Sequence, residues 1–67
     1  MIELTKLNDI KFVVNAEIIE IVEETPDTVV TLTTGKKLIV KESRQEVVNL
    51  VILYKQLIFS NLHRIEG

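Results

Sequence analysis

Short runs of alternating apolar and polar residues fill the first two thirds of the chain, and near Ser43 the period lengthens to that of a helix. The first run covers 2–7 and is closed by Asn8-Asp9, a pair that tolerates φ > 0 well enough for a hairpin turn. The second covers 10–14, with Ile10, Phe12 and Val14 on one face and Lys11 and Val13 on the other. Asn15-Ala16-Glu17 breaks the pattern, and a third run over 18–24 turns Ile19 and Ile21 inward and Glu20 outward. Thr25-Pro26-Asp27-Thr28 reads as a type I turn with Pro26 at its second position. A fourth run over 28–33 places Val30 and Leu32 on one face, and Thr34-Gly35 turns the chain into a fifth run over 36–41. Two successive tight hairpins imply antiparallel pairing.

Ser43-Arg44-Gln45-Glu46 fits a capping box, in which Ser43 and Glu46 exchange hydrogen bonds across the first turn of a helix. Val47, Leu50, Val51, Tyr54, Leu57 and Ile58 then recur as one helical stripe able to cover one face of a small sheet. Val48, Ile52 and Phe59 fall about 140° around the same helix, so one sheet cannot bury both stripes and the second asks for another partner. Ser60 and Asn61 are expected to end the helix, which divides the chain into a domain over 1–59 and a tail over 60–67. The expected fold is α+β: an antiparallel meander of about five short strands, with a barrel-like curl as a variant, and one C-terminal helix.

With 67 residues there is room for one domain and a core worth only a few kcal/mol unless something reinforces it. No cysteine is present and His63 is the single histidine, which removes disulfides, thiolate chemistry and Cys- or His-rich metal sites. Association with copies of itself is the remaining reinforcement, and a mean hydropathy of +0.25 favours it. A net charge of −2 argues against a basic nucleic-acid footprint. The opening Met1-Ile2-Glu3-Leu4-Thr5 reads as a strand and predicts no secretory signal, and the run over 47–59, interrupted by Asn49, Lys55 and Gln56, is too short to span a bilayer. The expected address is cytoplasmic.

Glu20, Glu23, Glu24 and Asp27 lie close in sequence, but the spacing of a calcium loop is missing, and a solvated strand face explains them. Ser43 is already explained as a helix cap, and His63 as a terminal side chain. Around Gly35 neither phosphate-binding glycine pattern occurs. Lys11, Lys36, Lys37 and Lys41 make at most a modest basic set, and Phe12, Tyr54 and Phe59 are the only aromatic residues to stack with it. No catalytic, cofactor-binding or metal-ligating residue is assigned and no cofactor is expected. The candidate interaction surface is Val48, Ile52 and Phe59, together with the Pro26 and Asp27 turn.

The run Glu23-Glu24-Thr25-Pro26-Asp27-Thr28-Val29-Val30-Thr31-Leu32-Thr33-Thr34-Gly35-Lys36-Lys37, followed by Val40-Lys41-Glu42-Ser43, resembles the FlbD/SwrD family of small flagellar motility proteins. The opening Ile2-Glu3-Leu4-Thr5-Lys6-Leu7-Asn8 is similar to the same family. The likeness covers residues 1 to about 55 and departs where the family usually reads Asn-Gly and this chain has Asn8-Asp9. It implies a non-enzymatic motility accessory protein acting by protein–protein contact, in SwrD-like members by supporting the power of the motor's stator units. It leaves open a place at the flagellar base with a motor or stator component as partner, or a role upstream of the motor; no binding residue is carried over. The competing expectation is a small β-rich nucleic-acid-binding regulator, recognisable by its four lysines gathering on one face. An enzyme would instead need a deep pocket lined by Glu20, Glu23 and Asp27.

Overall fold

In the computed structural model, which describes the backbone of residues 1–66 and the side chains of residues 1–60, the alternating runs form five strands and the long-period segment forms one helix. The order is β1 (Ile2–Thr5), β2 (Lys11–Val14), a 3₁₀ turn (Ala16–Ile18), β3 (Ile19–Glu24), β4 (Thr28–Leu32), β5 (Lys37–Val40) and α1 (Arg44–Glu66). The class is α+β, as the alternation predicts.

Two hairpins close by the same device, a three-residue loop whose last residue has positive φ. In the first, Lys6 N–H donates to Ile10 O (2.9 Å), Asp9 N–H donates to Lys6 O (2.9 Å), and Asp9 sits at φ 69°. In the second, Leu32 N–H donates to Lys36 O (2.8 Å), Gly35 N–H donates to Leu32 O (2.9 Å), and Gly35 sits at φ 90°. The third reversal falls at Thr25-Pro26-Asp27 as expected, but with a cis Thr25-Pro26 peptide in place of a type I turn.

The strands make two antiparallel sheets, β1-β2 and β3-β4-β5, and not one continuous meander. No barrel closes. After β2, Asn15 takes the chain into the 3₁₀ turn, its Oδ1 accepting from Glu17 N–H at 3.0 Å, so β2 and β3 do not pair. The sheets meet through a single bridge, Lys6 with Val40, and a bond from Lys41 N–H to Thr5 O of 2.8 Å.

Alternation sends Ile2 and Leu4 of β1, Val14 of β2, Thr28, Val30 and Leu32 of β4, and Val40 of β5 into one core. In β3 the expected phase holds at Ile19, which packs on the core, and fails beyond it: a bulge between Ile19 and Ile21 shifts the register, so Val22 packs on the core and Ile21 is 46% exposed. One extra residue exchanges the faces of everything beyond it, and sequence alternation cannot register it.

Helix α1 opens on the predicted cap. Glu46 N–H donates to Ser43 Oγ (3.1 Å), and Ser43 N–H donates to Glu46 Oε1 (3.0 Å). Val47 is completely buried, and Leu50, Val51 and Tyr54 pack half-buried against the core. The expected stripe then fails, because Leu57 is 57% and Ile58 38% exposed. The helix of 23 residues is about 35 Å long at 1.5 Å per residue, and from Lys55 to Ser60 every side chain is exposed. Its C-terminal half therefore overhangs the sheets. It also continues through Ser60 and Asn61, where the sequence suggests an end.

Candidate functional site

Val48, Ile52 and Phe59 recur on one side of α1, as the helical period requires, but they differ in exposure. Val48, in the second turn, is half-buried, while Ile52 is 48% and Phe59 62% exposed. Pro26 and Asp27 are exposed at the β3–β4 turn. That turn lies near the start of the helix, since Glu24 accepts a hydrogen bond from Arg44 N–H at 2.8 Å. Ile52 stands about 12 Å and Phe59 about 22 Å further along the helix axis. The helix face and the Pro26-Asp27 turn, both candidate surfaces in the sequence, are therefore separate patches.

The apolar surface of the overhang is broader than the predicted stripe. Leu53 (52% exposed), Leu57 and Ile58 are exposed as well, with Leu53 and Leu57 on another side of the helix from Ile52 and Phe59. The helical period assigns Leu57 and Ile58 to the core stripe, and only the short reach of the sheets leaves them outside. Leu53 fits neither stripe, although its position three residues after Leu50 places it beside the core face.

The four candidate lysines, Lys11, Lys36, Lys37 and Lys41, do not share one set of neighbours. Lys36 and Lys37 stand with Lys6 around adjoining apolar concavities that include Phe12 and Leu38. The Lys6 ammonium lies 5.6 Å from the centre of the Phe12 ring, a cation–π distance. Lys41 is instead ion-paired with Asp9, and the charge of Lys11 is felt at Glu42.

Among the acidic residues, Glu24 is committed to the helix start. No cluster of three or more metal-ligating side chains occurs among the described residues. Glu42 has the best-defined polar environment: its carboxylate accepts from Thr5 N–H (2.8 Å) and from Thr5 Oγ1–H (2.7 Å), fastening the end of β1 to the segment after β5. Burial pushes the Glu42 carboxyl up, but the Thr5 amide and hydroxyl, with smaller help from its own amide and Lys11, outweigh it and hold it below its usual value. Ser43 is occupied with capping, and the side chain of His63 lies outside the described residues.

Among the described residues no helix is long and apolar enough to cross a membrane. The family model for FlbD, described as flagellar and swarming motility proteins, matches residues 1–59. No curated protein and no solved structure matches the chain.

Proposed function

The chain belongs to the FlbD family of flagellar and swarming motility proteins, and from that premise we propose that it is a non-catalytic accessory protein that acts by protein–protein contact to support the motor's stator units. The observation that carries this reading is the overhang of α1, where Ile52, Leu53, Leu57 and Ile58, all within seven consecutive residues of one helix, are each more than a third exposed. Residues 1–59 form the working module in this reading, and 60–67 form a tail. Val48, Ile52 and Phe59 make the self-association face, and the Pro26 and Asp27 turn is a second, separate contact. The protein acts in the cytoplasm, peripherally at the flagellar base. A nucleic-acid-binding regulator has only the Lys6, Lys36 and Lys37 concavity in its favour, and would reveal itself by binding that weakens steeply with salt.

The test replaces Ile52 with Glu in a swarming host that carries this gene. Swarming and swimming speed under viscous load are expected to fall while protein level and flagellar number hold. Unchanged motility would reject the contact face, and loss of the flagella themselves would reject stator support.

A further inference from the structure

Along the flank of α1 that faces β1 runs an acidic-rimmed groove. One part, of about 420 Å³, is lined by Glu3, Glu42, Glu46, Asn49, Leu50 and Leu53. It shares Glu3, Leu50 and Leu53 with a second part of about 190 Å³, which Met1, Tyr54 and Leu57 continue. The floor is apolar: Met1 is 65% exposed, and Leu53 and Leu57 are each more than half exposed. From Glu46 to Leu57 the groove follows the helix for about 16 Å, some three turns. The described lining holds three carboxylates and no lysine or arginine. This side is about 150° around the helix from Ile52 and Phe59, so it is a different surface from the self-association face.

We infer that this groove receives an amphipathic helix bearing several lysines or arginines, its apolar face on Leu50, Leu53 and Leu57 and its cations against Glu3, Glu42 and Glu46. Apolar contact supplies affinity in such a groove, while charge complementarity selects and orients the occupant. A second copy of the chain fits less well. Its helix over residues 52–66 carries Lys55, Arg64 and Glu66, a net charge of +1 against three carboxylates. The concavity with Lys6, Lys36 and Lys37 would repel the same partner, so charge directs it to the acidic groove. The inference rests on the protein being a contact module, and its test needs no flagellum.

The probe is a synthetic helical peptide of about 18 residues with leucines on one face and lysines on the other, beside a copy in which glutamates replace the lysines. Fluorescence anisotropy with the full chain should give about tenfold tighter binding of the lysine peptide, weakening as salt is raised. Leu53→Glu and Glu3→Lys, both at exposed positions, should each weaken it about fivefold or more, and Ile52→Glu should leave it unchanged. Equal binding of the two peptides, no binding, or loss with Ile52→Glu in place of Leu53→Glu would overturn the proposal. So would sedimentation showing a dimer that Leu53→Glu dissociates, because the groove's occupant would then be a second copy. Normal motility of Ile52→Glu cells would reject the stator-contact reading and leave the peptide result standing.

Discussion

Glu42 joins the two sheets through one side chain, because both hydrogen bonds it accepts come from Thr5, at the end of β1. Bonds that favour its charged form lower the folded pKa below the ordinary 4.5 and so make this contact depend on pH. The stabilisation is fully present above the unfolded-state value and is lost as pH falls through the folded value. Glu42→Gln should therefore cost about 1 kcal/mol at neutral pH. It should also flatten the decline of the urea midpoint between neutral pH and about pH 3; a decline as steep as in the wild type would assign the acid sensitivity to other carboxylates. Asp9 and Gly35 illustrate a second residue-scale effect. Both end three-residue loops at positive φ, where glycine pays no Cβ penalty and aspartate is among the better-tolerated alternatives.

For the helix, the decisive quantity is length. Its first three turns bury Val47 and half-bury Leu50, Val51 and Tyr54, and from Lys55 to the last described side chain every residue is exposed. The same apolar period thus has two energetic meanings along one element. Val47→Ala should cost about 2 kcal/mol, because a completely buried side chain leaves a cavity behind. Leu57→Ala should change stability by less than about 0.5 kcal/mol when measured in dilute solution. A comparable loss at both positions in urea unfolding would mean that the overhang is covered even at low concentration.

The whole molecule keeps a small core with eight buried apolar residues, no disulfide and no metal-ligating cluster among the described residues. Isolated domains of this size gain stability by association when large apolar side chains remain outside. Sedimentation over a concentration series should therefore show wild-type mass rising above the 7.7 kDa of one chain, with Ile52→Glu remaining at that mass. A wild type that stays at 7.7 kDa throughout would reject self-association.

Local chemistry in the sequence determined the five strands, the turn positions, the Ser43 and Glu46 cap, the shared face of Val30 and Leu32 in β4, and the resemblance that the family model bears out. Each depends on residues a few positions apart, where alternation, backbone preference and capping operate directly. Tertiary packing alone decided the bulge that exchanges the faces of Ile21 and Val22, the division into two sheets, and how far along α1 the sheets reach. Leu50 and Leu57 occupy equivalent places in the helical repeat, yet Leu50 packs against the core and Leu57 projects beyond it. A hydrophobic period specifies which side of a helix is apolar, whereas burial depends on where the neighbouring strands end, and no residue of the helix encodes that.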